Sequence, residues 1–132
     1  MNTPLAATTN GVTIEVDTQY EARFSHRMPD PKWVFSYRIK IMNNSPHTLQ
    51  LIRRYWEITD SVYGREIVMG EGVVGQQPIL EPGQSHTYTS ACHLNTPFGR
   101  MRGYYEMEKT RNGSFIKVEI PEFTLEGPSM LN

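Results

Sequence analysis

The chain has 132 residues, thirteen of them basic and fourteen acidic, a formal net charge of −1, and a single cysteine, Cys92. That length suits one domain, and 38% hydrophobic residues are enough to build a packed core. The charge balance lacks the basic excess of a protein held by nucleic-acid phosphates, a lone cysteine precludes an intrachain disulfide, and no apolar run approaches a membrane span. The first residues, MNTPLAATTNG, carry neither a basic n-region nor an apolar h-region. A cytoplasmic chain without a signal peptide is expected.

The first ten residues are small and polar and read as a loose tail. Val12, Ile14, Val16, Tyr20, Ala22 and Phe24 then fall on even positions, with charged and amide residues between them. Period two over this length predicts a strand with one wet face. His26 to Pro31 breaks it. Trp33, Phe35, Tyr37, Ile39 and Ile41 form a second alternating run, ended by the turn cluster Asn43-Asn44-Ser45-Pro46.

In TLQLIRRYWEITD the apolar parity switches, from Leu49 and Leu51 to Ile52, Trp56 and Ile58. The switch predicts a bulge or a strand buried on both faces, and it puts Arg53 and Arg54 on opposite faces. Glu66 to Met69 is a short strand. Pro82-Gly83 suits a type II turn. Ser85 to Leu94 is a strand, and Met101, Gly103, Tyr105 and Met107 mark the buried face of the next. Asn112-Gly113 predicts a primed hairpin turn, with Phe115 to Ile120 returning and Pro121 to Leu125 as an edge. Seven or eight short strands without a helical run read as one all-β domain, a β-sandwich or small barrel.

The segment MGEGVVGQQPILEPG contains a formal G-x-G-x-x-G at Gly70, Gly72 and Gly75. A dinucleotide loop needs a helix after it and an acidic residue about twenty positions on. Here Pro78 and Pro82 forbid the helix, and no Asp or Glu lies between Pro82 and Tyr105. The first reading is therefore geometric: the glycines shape a loop between strands. The alternative is an anion nest of backbone amides at Gly70, Gly72, Gly75 and Gln76. Arg54, Arg100 and Arg102 would lend it charge, in a stretch that also carries His86 and His93. No histidine joins Cys92 at zinc-ligand spacing, so no metal or cofactor is expected. Cys92 reads as a small core residue, Trp33 and Trp56 as anchors, and Tyr105 as a tyrosine corner.

The segments VFSYRIKIMNNSPHTLQLIRRYWEITD, GEGVVGQQPILEPG, HTYTSACHLNTPFGRMRGYYEM and FIKVEIPEFTL together resemble the ApaG family, in family order and over roughly residues 12 to 126. The resemblance implies an antiparallel β-sandwich similar to fibronectin type III, in a single domain spanning residues 1–132 with tails at 1–10 and 127–132. It implies a small bacterial protein whose domain recurs in eukaryotes as a partner-binding module, in an F-box protein and in a protein associated with DNA polymerase delta. The family gene often lies near a diadenosine tetraphosphatase gene and is associated with cobalt tolerance and magnesium efflux. The family supplies no catalytic residues to carry over, and Tyr55 stands where relatives more often have histidine.

Three functions follow as expectations. The first is a non-enzymatic module that presents a sheet face or edge, with the loop at 70–77, to a protein partner or to a second copy as a homodimer. The second is a sensor of phosphorylated nucleotides, such as diadenosine polyphosphates, using the glycine loop. An enzyme acting on those nucleotides ranks third, motivated by gene association alone.

Overall fold

A computed structural model describes residues 5–128. Nine strands form two antiparallel sheets. They are β1 (Leu5–Thr9), β2 (Val12–Tyr20), β3 (Trp33–Asn43), β4 (Leu49–Asp60), β5 (Gly64–Glu71), β6 (Ile79–Leu80), β7 (Ser85–Leu94), β8 (Phe98–Lys109) and β9 (Phe115–Glu126). One sheet runs β1-β2-β3-β7 and the other β5-β4-β8-β9, with β6 pairing β4 beyond the end of β5. No helix among the described residues is long and apolar enough to cross a membrane.

The alternating residues meet between the sheets. Val12, Ile14, Phe35, Ile39 and Ile41 come from one side; Leu51, Trp56, Met101, Tyr105, Met107, Val118 and Leu125 come from the other. Tyr37 packs edge-on to Trp56, at 5.5 Å between ring centroids. Burial of these apolar faces is the main stabilising term, at about 25 cal/mol per Å² removed from water. Cys92 lies in the same core, and burial pushes its thiol up to about 12. The buried Asn43 closes the β3–β4 turn. Its amide donates to the carbonyls of His47 and Leu80, and its oxygen accepts from Ser45.

Several expectations are corrected. Nine strands replace seven or eight. Leu5–Thr9 is not a loose tail but an edge strand in register with Val12–Val16; residues 1–4 and 129–132 lie outside the described residues. At the other end, the Gly127 amide donates to the Pro97 carbonyl at 2.7 Å. The second strand stops at Tyr20, and Ala22–Phe24 forms a 3-10 turn. The Asn112-Gly113 turn is not of the primed type, which needs positive φ at both central residues. Only Gly113 has it, and the Gly113 amide bonds back to the Lys109 carbonyl in a four-residue connection. Tyr105 is no corner to the backbone, because its hydroxyl meets that of Tyr88 at 2.5 Å. Two expectations hold. The Gln84 amide donates to the Glu81 carbonyl across Pro82-Gly83, with Gly83 at φ +88°, and the pairing register shifts between Leu51 and Arg53.

Asp60, buried at the end of β4, ties β4 to the β7–β8 loop. Its carboxylate accepts from the Thr96 hydroxyl at 2.6 Å and the Asn95 amide at 2.8 Å. Burial alone would raise its pKa. The bonds from Thr96 and from the backbone of Asn95, Val62 and Tyr63 outweigh that and hold it below the ordinary aspartate range. A depressed carboxyl contributes stability above its unfolded pKa and loses it as pH falls through the folded one. Asp60→Asn is therefore expected to destabilise by about 1–2 kcal/mol near neutral pH. The gap to wild type should narrow as pH falls from the ordinary aspartate range through the depressed folded pKa. Urea melts at pH 7 and at successively lower pH measure this, and a gap independent of pH would refute it.

Candidate functional site

The glycine segment runs on from β5 beside the bulge, which lies in the pairing of β4 with β8; on the β5 side Ile52 continues the register opposite Gly72. The Gly72 amide and the Gln77 side-chain amide both donate to the Ile52 carbonyl, at 2.8 and 3.0 Å. Just beyond, the Leu51 amide donates to the Pro78 carbonyl. The segment at 71–78 thus bridges from β5 to β6 along the edge of β4.

Each glycine has a local cause. Gly72 has φ +64°, and a Cβ there would stand 2.2 Å from the Gln76 carbonyl oxygen. Gly70 makes room for an arginine: a Cβ would lie 2.8 Å from Nη1, 2.8 Å from Nη2 and 2.9 Å from Cζ of Arg54, so the guanidinium lies flat over the Gly70 backbone. Gly75 belongs to a two-residue turn. Val73 and Gln76 exchange both backbone hydrogen bonds, at 2.8 and 3.0 Å, with Val74 at φ +48° and Gly75 at φ +75° between them. Positive φ at both centres makes this a primed hairpin turn, as at Asn10-Gly11 between β1 and β2. A β-branched residue in the left-handed region is strained by about 1–3 kcal/mol. Val74 nonetheless sits at the tip, 63% exposed.

The bulge decides where Arg54 points. Past Ile52, Arg54 shares register with Tyr105, and Trp56 with Gly103, so both side chains face between the sheets. Arg54 lines a pocket of about 290 Å³ together with Tyr37, Trp56, Tyr88, Ser90 and the Glu71–Gly75 segment. Nη1 donates to the carbonyls of Glu71 and Gly72, both at 2.9 Å. Among the described residues, Nε and Nη2 have no protein acceptor, and no carboxylate lies within ion-pair distance of Arg54. Burial raises the Tyr37 and Tyr88 hydroxyls above the ordinary tyrosine range, so they stay protonated.

The residues expected to converge are separated. Arg54 and Gly75 line the pocket, and Gly70 and Gly72 lie against the Arg54 guanidinium. The amides of Gly72 and Gln76 are engaged with Ile52 and Val73. Arg100 and Arg102 lie on the outer face of the second sheet, with the parity opposite to Met101 and Gly103. There Arg102 makes a two-pronged bond to Glu57, at 3.1 Å from each oxygen. Glu57 also takes Arg65, and the two arginines outweigh desolvation to lower its pKa. His86 stacks on Tyr88 with ring centroids 6.4 Å apart, while His93 borders a separate concavity of about 710 Å³ on the outer face of the first sheet. That larger concavity is walled by Phe24 and ringed by charges of both signs, Arg27, Lys32, Glu21 and Asp30. Among the described residues, no three His, Cys, Asp or Glu side chains cluster to hold a metal ion.

Sequence reasoning missed Tyr37, Tyr88, Ser90 and Val74. The first three share inward parity on β3 and β7, but only the pairing of sheets brings them to Arg54.

Two sheets packed face to face, with a loop-bordered pocket on one side, define a small β-sandwich domain. The model of the ApaG domain matches residues 23–109. Protein ApaG of Agrobacterium fabrum is 43% identical over 125 residues, 95% of each chain, and Protein ApaG of Brucella canis is 42% identical over 123 residues, 93% of each. A crystal structure described as an ApaA protein from Bordetella pertussis is 40% identical and superposes with a TM-score of 0.81 over 95% of this chain and 98% of that one. A protein from Archaeoglobus fulgidus, 10% identical, shares the fold alone at a TM-score of 0.52, over 87% and 97% of the two chains. The chain belongs to the ApaG family.

The glycine geometry separates three substitutions. Gly72→Ala forces a Cβ against backbone at positive φ and is expected to destabilise by about 2 kcal/mol or more. Gly70→Ala displaces only the end of a flexible side chain and should cost under about 1 kcal/mol. Val74→Asn relieves strain at the primed turn and should stabilise by about 1 kcal/mol. Denaturant melts of the three variants rank them; equal costs at Gly70 and Gly72, or a destabilised Val74→Asn, would contradict this account.

Proposed function

We propose that this chain is a non-enzymatic binding module that receives an extended segment of a protein partner along β5. The observation that carries this reading is the free edge of β5. It pairs with β4 on one side only, and over its eight residues it holds no proline or lysine to discourage pairing. Ile67 and Met69 stand exposed on it, at 41% and 71%. An added strand would satisfy the free backbone groups, while alternate side chains of the partner would cover these two.

The strained turn supports the same side of the molecule. An exposed valine held in a costly conformation is a motif found where a contact requires it, and Val74 borders the pocket at this side. The opposite side of the sandwich is already occupied: the Asn10 side chain donates to the Lys117 carbonyl, bringing β1 against β9.

Ile67→Lys with Met69→Lys tests the proposal. Both positions are exposed, so the fold should survive, as amide NMR dispersion would show. Wild type is expected to recover a stoichiometric partner from native lysate, and the double variant to lose it. Recovery of the same partner by the double variant would sink the β5 reading. Self-association by sedimentation, lost in the variant, would make the added strand a second copy of the chain.

A further inference from the structure

We infer that the Arg54 pocket is a receptor for one carboxylate, supplied by an acidic side chain of the segment that pairs with β5. This rests on the binding-module reading above and names the chemistry the partner must bring.

A guanidinium held by one nitrogen, with its other donors open to solvent, can exchange that water for an anionic acceptor. Two carbonyls satisfy Nη1, and Nε and Nη2 remain without protein acceptors among the described residues. The Gly70 shelf and the Nη1 bonds fix the orientation of the plane. A fixed guanidinium with two donors open on one edge matches the two oxygens of a carboxylate. The facing wall is polar but already paired, Tyr37 with Ser90 and Tyr88 with Tyr105, so the charge of Arg54 carries the recognition.

Charge decides between carboxylate and phosphate. The pocket lining contains one cation, Arg54, and one carboxylate, Glu71. A single guanidinium beside an acidic group matches a monoanion. A phosphate dianion or a pyrophosphate calls for more positive charge, and Arg102 is occupied by Glu57 on the outer face. The backbone amides that would build a nest are partly used, because Gly72 and Gln76 already donate within the protein.

The segment Glu71–Gly75 connects the pocket directly to the end of β5. An extended chain laid along β5 reaches the pocket mouth near Gly70 without leaving the edge. A glutamate or aspartate there would enter beside Trp56, where lower local polarity strengthens the pair.

The test is an amide and arginine-Nε NMR titration of the full chain at constant ionic strength. The probes are sodium acetate, inorganic phosphate, sodium chloride, blocked glutamate (N-acetyl, N-methylamide) and blocked glutamine. Acetate and blocked glutamate are expected to give saturable shifts at Arg54 Nε–H, Gly75 and Ser90. Blocked glutamate should bind at least about tenfold more tightly than blocked glutamine, as a charge-assisted bond predicts.

Arg54→Met should abolish these shifts. Gly70→Ala, which moves the guanidinium with little cost to the fold, should weaken them at least about tenfold and guards against a misfolded Arg54 variant. Ile67→Lys with Met69→Lys should leave them intact, so failure of the edge and failure of the pocket are told apart. Equal binding of blocked glutamate and glutamine, stronger saturable binding of phosphate than of acetate, or silence toward every anion would each overturn the inference.

Discussion

The extra residue at Ile52 decides which residues of β4 face between the sheets. Without it, the parity set by Leu49 and Leu51 would carry Arg53, Tyr55 and Glu57 into the core. Two unpaired charges there would cost several kcal/mol each. The bulge resets the count, and Arg54, Trp56 and Ile58 turn inward instead. Trp56 and Ile58 are the gain in core packing. Arg54 is the residue the reset leaves in an unusual place, and the surrounding structure accommodates it at the mouth of the sandwich rather than deep inside. On the β5 side the Ile52 carbonyl takes the Gly72 amide and the Gln77 side chain, which holds the glycine segment beside Arg54. The register shift against β8 thus places Arg54, and the segment that continues β5 completes its pocket.

The glycine segment shows how a nucleotide-like motif arises from backbone demands alone. Gly70 is absent of side chain because a guanidinium lies on it; Gly72 because a carbonyl approaches it; Gly75 because a two-residue turn needs positive φ. None of these reasons involves a helix N-terminus, and the spacing of the three is the spacing of three separate local constraints. Val74 fits none of them. The usual choices at that position are asparagine, aspartate or glycine, so an exposed valine there carries strain that no backbone constraint of the segment demands.

Much of the fold was legible because a sheet buried on one face prints its period on the chain. The alternating runs from Val12, Trp33 and Met101 became β2, β3 and β8, and the parity switch near Ile52 located the bulge. The failures have physical causes. Leu5–Thr9 is an edge strand of small and half-exposed residues, so it carries no period. A primed turn was expected at Asn112-Gly113 from propensity and forms instead at Asn10-Gly11 and Val74-Gly75, where two residues separate the paired ends, while four residues separate Lys109 from Ser114. The arginines could not be sorted from sequence. Arg54, Arg100 and Arg102 look equivalent until register places Arg54 opposite Tyr105 and Arg102 opposite Glu57.

The asymmetry of the two sides gives the binding reading its direction. A sandwich has four sheet edges, and each is a template for further pairing. Here β1 and β9 answer one another: Asn10 bonds the Lys117 carbonyl, and the Thr9 hydroxyl accepts from the Glu119 amide. β7 presents threonine, serine and alanine outward, side chains that water solvates or that little area exposes. β5 differs from all three, since beside the exposed Arg65, Glu66 and Glu71 it exposes two large apolar residues, Ile67 and Met69, and its end leads into the strained turn and the Arg54 pocket. Apolar contact area, free backbone donors and an uncompensated cation therefore lie along a single line on the surface. Any one of them is tolerable on a small domain. Their coincidence on one edge is what a partner in extended conformation, carrying alternate apolar residues and one acidic residue, would complement.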